Sequence, residues 1–191
     1  MLSAKIVKFS GGCGILILIV FLTSLFLSIQ QAPWFSWTEN AISDLGKQDA
    51  VPSIFNNGLI VTGILLLLFS VGLSKELKER HASPLFFGLS SIFLIGVGLI
   101  PLPSIYHVLV SVLFFVAFTY AFFAFGFLFF KDATSFLRNK GIFAIFILII
   151  ISISAIFLLF LEGVAIPEMM VMVPGFFWCV LFGSKMVSSK P

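Results

Sequence analysis

From Gly141 to Leu161 the chain reads GIFAIFILIIISISAIFLLFL, apolar on every face and close to the roughly 20 residues a helix needs to cross the hydrocarbon core of a bilayer. Five more runs of similar character follow one another through the 191 residues, separated by short polar connections. A β-barrel would instead alternate apolar and polar residues in segments of about ten. Only 10% of the residues are charged, against about 25% in soluble domains, and mean hydropathy is +1.21. The expectation is an all-α, polytopic membrane bundle of six transmembrane helices, forming one domain over residues 1–191.

Helix 1 is expected over about 10–29, opening on Gly11, Gly12, Cys13 and Gly14, small residues that let another helix approach closely. It follows Lys5 and Lys8 as a signal peptide would, but is too long for an h-region of roughly 7–15 residues, which predicts a retained span. Helix 2 is expected at 53–73 and helix 3 at 84–100, closed by Pro101 and Pro103. Helix 4 is expected at 104–130, about 40 Å long at 1.5 Å per residue, so its ends must tilt or emerge. Helices 5 and 6 are expected at 141–161 and 167–183, the last being the shortest and interrupted by Pro174. Cys13 and Cys179 fall inside spans as small packing residues without metal or redox companions.

Alternate connections differ sharply in charge. Lys5, Lys8, Lys75, Lys78, Arg80, Lys131, Arg138, Lys140, Lys185 and Lys190 share one side, against Lys47 alone on the other, 10 versus 1. The positive-inside rule predicts a multi-pass protein of the cell membrane with both termini cytoplasmic. The net charge of +3 arises from these topology-setting loops and implies no nucleic acid. His81, inside the basic hairpin, is expected to be solvated and is assigned no role; that hairpin and the connection at 131–140 would suit anionic headgroups, but ordinary topology determinants have the same composition. Glu39, Asp44, Asp49, Glu162 and Glu168 fall outside, against Glu76, Glu79 and Asp132 inside, so the outer mouth is expected to be acidic.

The outer loop contains the one long polar segment almost free of Lys and Arg, WFSWTENAISDLG, Trp34 to Gly46. SWTE reads as a capping box, Ser36 capping a short helix whose Glu39 reaches back to the Ser36 amide, with Gly46 as the C-terminal cap. Residues four apart share a face, so Glu39 would lie beside Ser43 and Asn40 beside Asp44. Trp34 and Trp37 would anchor this short interfacial helix at headgroup depth. Capping and solvation explain Glu39, but Asp44 near a helix C-terminus is opposed by the dipole and needs a partner.

His107 falls in the first turn of helix 4 at the same outer level. A helix N-terminus disfavours added positive charge, which predicts a neutral imidazole able to accept a proton or bind a metal; a hydrogen-bonded interfacial His beside Tyr106 is the plainer reading. Glu168, just after Pro167, has a ready explanation as a dipole-favoured first-turn acid. Glu162 has none, and is expected to face water or to meet a partner such as His107. The candidate site is thus Ser43, Asp44, His107 and Glu162 as catalytic residues, with Glu39, Asn40, Asn56 and Asn57 as a ligand-binding or structural polar network. Nothing has the spacing of HExxH, CxxC, a P-loop or GxSxG.

FSWTENAISDLG, IFNNGLIVTGILLLLFS and GVGLIPLPSIYHVLVSVLFF together resemble the domain-of-unknown-function family 998 of small six-helix membrane proteins. The resemblance covers most of the chain and implies that Ser43, Asp44, Gly46, Phe55, Asn56 and His107 match motif positions. It implies no activity.

Two functions are open. One is an intramembrane hydrolase or transferase acting on a membrane lipid, with Ser43 as nucleophile or with Asp44, His107 and Glu162 holding a divalent metal that activates water. The other is a non-catalytic membrane protein that binds a lipid or partner, in which Asp44 and Asn56 or Asn57 latch the SDLG loop across the helix ends. A transporter ranks behind both, because no apolar span carries a charge at its centre and the spans are few unless the chain forms a homo-oligomer.

Overall fold

The structure, a computed structural model, describes residues 2–47, 52–77 and 81–188. Asp49, Lys78, Glu79, Arg80 and Lys190, which entered the charge count above, lie outside the described residues. Among the described residues six α-helices follow in order: α1 Leu2–Gln30, α2 Pro52–Glu76, α3 Ser83–Leu99, α4 Ile105–Phe129, α5 Ser135–Phe157 and α6 Ala165–Ser188, with a short 3-10 helix, Ile42–Gly46, between α1 and α2. Five of them are long and apolar enough to cross a membrane, and α3 is a shorter apolar helix of 17 residues. The chain is therefore a polytopic helical membrane bundle.

The apolar runs locate every helix, and the differences lie at the ends. α1 begins at Leu2 rather than near Ser10, since nothing in Leu2–Phe9 breaks a helix and Lys5 and Lys8 are good helix formers. α6 runs through Pro174 to Ser188 and is not the shortest helix; that place falls to α3. α5 starts at Ser135 and stops at Phe157, so Leu158–Phe160 form turns and Glu162 no longer ends a helix. α3 closes with the Ile100 amide donating to the Gly96 carbonyl before Pro101 prevents continuation.

Each helix packs on its neighbours in sequence and α6 returns to α1, which closes a ring. Lipid tails are as apolar as the helix faces, so packing and close approach must hold such a ring together. The α1–α6 seam shows this: a Cβ on Gly11 would lie 2.6 Å from the Gly183 carbonyl oxygen, and one on Gly183 would lie 2.5 Å from that of Gly11. Inside the ring the space is filled by aromatic rings. Trp178 of α6 is stacked between Phe87 of α3 at 5.5 Å and Phe182 at 5.1 Å, with Phe125 of α4 at 4.7 Å edge-on. Phe69 of α2 completes the cluster, and the indole N–H donates to the Lys140 carbonyl of α5 at 3.1 Å. One side chain thus touches four other helices, while Phe176 reaches α1 through Phe21 at 5.2 Å.

Candidate functional site

At the end of the bundle where α4 and α6 begin, the aromatic filling gives way to polar groups. His107 lies one turn into α4, whose cap is Ser104, accepting from the Tyr106 amide at 3.3 Å. The α3–α4 connection folds back beneath the ring, so His107 Nδ1 meets the Ile100 carbonyl at 2.6 Å. A carbonyl can only accept, so in the neutral imidazole Nδ1 carries the proton and Nε2 carries the lone pair. His107 is 4% exposed, and Nε2 is buried without a hydrogen-bond partner among the described residues. A buried polar atom without a partner is uncommon and calls for an explanation.

His107 lines a cavity. About 560 Å³ of space lies between α4, the second half of α5 and the start of α6, with Ala41 and Ser43 of the α1–α2 connection also lining it. On α4 the lining residues His107, Ser111, Phe115 and Thr119 recur every fourth position and so form one face. Glu168 of α6 and Ser154 of α5 complete the polar lining. Ser154 is occupied, its hydroxyl donating to the Ile151 carbonyl at 2.7 Å. Ser43, Ser111, Phe115 and Glu168 also border a second void of about 20 Å³ toward α2 and α3, room for a single water.

The α1–α2 connection forms the roof, and its fold differs from the expected capping box. Asn40 Oδ1, not Glu39, accepts from the Ser36 amide at 2.8 Å, and residues 37–39 form a turn. The short helix is the 3-10 segment starting at Ile42, so Asp44 stands in its first turn rather than at its end. There its carboxylate accepts from the Ala41 amide at 2.9 Å and pairs with Lys47 at 2.9 Å. The partner that Asp44 required is its own helix start. Ile42 and Leu45 point into the bundle and are buried.

Four contacts fasten this roof. Glu168 Oε2 accepts from the Ile42 amide at 2.8 Å, and the Asn56 side-chain amide donates to the Gly46 carbonyl at 3.0 Å. The Gly163 amide donates to the Thr38 carbonyl at 2.8 Å and the Ala165 amide to the Asn40 carbonyl at 2.9 Å. A Cβ on Gly163 would lie 2.3 Å from the Asn40 nitrogen, so this crossing of two backbones admits only glycine.

Of the residues singled out from sequence, Ser43 and His107 meet at one cavity. Asn40, Asp44 and Asn56 belong to the roof. Glu39, Asn57 and Glu162 are exposed, and their side chains have no hydrogen-bond or ion-pair partner among the described residues. The expected meeting of Glu162 with His107 does not occur, because α5 ends four residues earlier than its apolar run and leaves Glu162 in an exposed bend. Among the described residues no three His, Cys, Asp or Glu side chains are grouped to hold a metal, and Asp44, His107 and Glu162 are not such a group. Sequence reasoning set Glu168 aside and missed Ser111 and Thr119. The i+4 and i+12 spacing from His107 was the available signal for the last two.

Ring, roof and side cavity define a polytopic helical membrane protein with a largely apolar pocket, bordered by a few polar side chains, at one end. The chain belongs to the family described as protein of unknown function (DUF998), whose model matches residues 13–185, in agreement with the resemblance of its motifs. No curated protein and no solved structure matches it.

Proposed function

We propose that this protein binds a membrane lipid in the cavity beside His107 and acts on it as a hydrolase or transferase. The single observation that carries this reading is the buried His107 imidazole in the lining of 560 Å³ of largely apolar space, its Nδ1–H held by the Ile100 carbonyl and its Nε2 left without a hydrogen-bond partner among the described residues. A base oriented by a third group and placed beside hydroxyls is the arrangement nucleophilic catalysis requires. The Ser43 hydroxyl, or a water among Ser43, Ser111 and Glu168, attacks the carbonyl carbon of the lipid ester and gives its proton to Nε2; the ester C–O bond then breaks, the leaving alcohol takes that proton from Nε2, and the acyl group departs as the free acid or, from Ser43, is passed to water or an acceptor alcohol. While Nε2 holds the proton, the Ile100 carbonyl stabilises the imidazolium through Nδ1–H. No metal is needed for this step.

In the same reading the cavity faces the extracytoplasmic side of the cell membrane, with both termini cytoplasmic and the roof at headgroup depth. The one-sided distribution of Lys and Arg supports this, and so does the gathering of Lys140 and Lys185 over the Phe136 ring, at 5.7 and 5.8 Å, far along the bundle from His107. Exposed Trp34 and Trp37, packed about Phe35, suit an interfacial position.

The test is product formation from lipid esters by purified protein in mixed-lipid vesicles, followed by mass spectrometry. His107→Ala is expected to lower the rate by about 10²–10⁴, the usual contribution of a general base, while the protein keeps its helical content and melting profile. An undiminished rate in folded His107→Ala overturns the catalytic assignment. A second reading, a non-catalytic lipid-binding protein whose SDLG loop is a latch, is favoured by the Asn56–Gly46 and Glu168–Ile42 bonds. It predicts lipid binding that depends on His107, with no product from any ester.

A further inference from the structure

At the end of the bundle opposite the cavity, two cations share one aromatic ring. Lys140 of α5 and Lys185 of α6 hold their ammonium groups 5.7 and 5.8 Å from the centre of Phe136, a half-buried ring near the start of α5. The face of a ring attracts a cation, but one ring balances two like charges poorly, and the two ammoniums repel each other. Neither forms an ion pair among the described residues. Asp132, the acid nearest in sequence to Lys140, is already bonded to the amide and the hydroxyl of Thr134.

Other cations of this end are placed differently. Lys5, Lys8, Lys131 and Arg138 are exposed, whereas Lys140 is half-buried, and Lys131 has a ring of its own, Phe130 at 5.1 Å. The positive-inside rule needs only that cations lie on one side. It gives no reason for two of them, from different helices, to meet at one ring, or for one to be half-buried without an anion. Lys140 is also fixed in place. Its carbonyl accepts from the Trp178 indole at 3.1 Å, and a Cβ on the adjacent Gly141 would lie 2.6 Å from the backbone of Phe129 and Phe130.

One turn further into the span the same seam turns apolar. Phe143, three residues after Lys140, packs edge-on against Phe177 of α6 at 6.2 Å, and Phe146 stacks on Phe143 at 6.3 Å. Phe177 and Phe146 are exposed, so this face meets the hydrocarbon of the bilayer. Cations at the end of a span, one turn above exposed aromatic rings, match an amphiphile: an anionic head at the membrane boundary joined to chains that run inward. A soluble anion would satisfy the ammoniums and leave the rings unused.

We infer that Lys140 and Lys185 hold the phosphate of an anionic phospholipid at the α5–α6 seam, its acyl chains lying against Phe143 and Phe177. The site is separate from the cavity beside His107 and independent of what occupies that cavity.

The experiment mixes purified full-length protein in detergent micelles with equal amounts of dioleoylphosphatidylglycerol and dioleoylphosphatidylcholine and measures retained lipid by native mass spectrometry. Wild-type protein is expected to retain phosphatidylglycerol in preference. Lys140→Gln combined with Lys185→Gln is expected to lower that retention by roughly tenfold, to the level of phosphatidylcholine, with the melting profile of the wild type. Lys131→Gln combined with Arg138→Gln removes the same charge from exposed positions and is expected to leave the preference in place. Lys140→Arg combined with Lys185→Arg keeps both charges and is expected to keep it too. Inorganic phosphate at the concentration of the lipid is expected not to displace it. No preference for phosphatidylglycerol in the wild type, equal losses in the two Gln pairs, retention undiminished in the folded Lys140→Gln and Lys185→Gln pair, or displacement by inorganic phosphate each overturns the inference.

Discussion

Glu168 shows how one residue can be read correctly in isolation and still be misjudged. An acid after Pro167 in a first turn is favoured by the helix dipole, and that local reason was sufficient to leave it out of the candidate site. In the folded chain its Oε2 also accepts from the amide of Ile42, a residue 126 positions earlier, and it lines the cavity. The dipole accounts for an acid there, but not for what the acid holds. Replacing it with Ala leaves a buried amide without an acceptor, a loss of about 1–3 kcal/mol, whereas Gln keeps an acceptor at the same reach. Melting of the purified protein is therefore expected to fall clearly for Glu168→Ala and little for Glu168→Gln. Equal losses in both would mean that the carboxylate charge, rather than the bond to Ile42, matters. Asp44 has the converse history: its need for a partner was legible from the sequence, but the partner was its own helix start, because the loop begins its helix at Ile42 instead of Ser36.

Among the elements, the apolar runs made all six helices legible, since each must satisfy its own backbone within the hydrocarbon. Their ends were less so. Beyond the end of α5 the Gly163 and Ala165 amides pair with the α1–α2 connection, and a tertiary contact of that kind leaves no mark in a hydropathy pattern. Placing Glu162 at a helix end, and then beside His107, followed from that hidden boundary. The crossing at Gly163 offers a test at this scale. Gly163→Ala puts a methyl group 2.3 Å from the Asn40 nitrogen, so the roof must lift or the turn must move. Lower melting together with faster proteolysis within residues 34–46 is the expected result, and wild-type behaviour would mean that the two backbones are not held this closely. At the centre of the ring, Trp178→Ala removes a side chain that touches α2, α3, α4 and α5 and should cost about 3–5 kcal/mol, with Trp178→Phe costing less.

At the scale of the whole molecule, the site exists because α4 and α6 start, and α5 ends, at the same face of a closed ring. His107, Ser43 and Glu168 come from three regions that no short motif joins, and they meet only once the helices alternate in direction. Which face that is rests on charge alone, and it can be measured. Thr38 of the roof and Ala133 of the α4–α5 connection are both exposed, while the native Cys13 and Cys179 are buried and unreactive toward a bulky reagent. In intact cells a membrane-impermeant maleimide is expected to label Thr38→Cys, and to label Ala133→Cys only after the membrane is opened. The reverse pattern would place the cavity at the cytoplasmic face. It would also mean that Lys131, Arg138, Lys140 and Lys185 had been carried across the membrane against the positive-inside rule, a far greater anomaly than a misplaced loop.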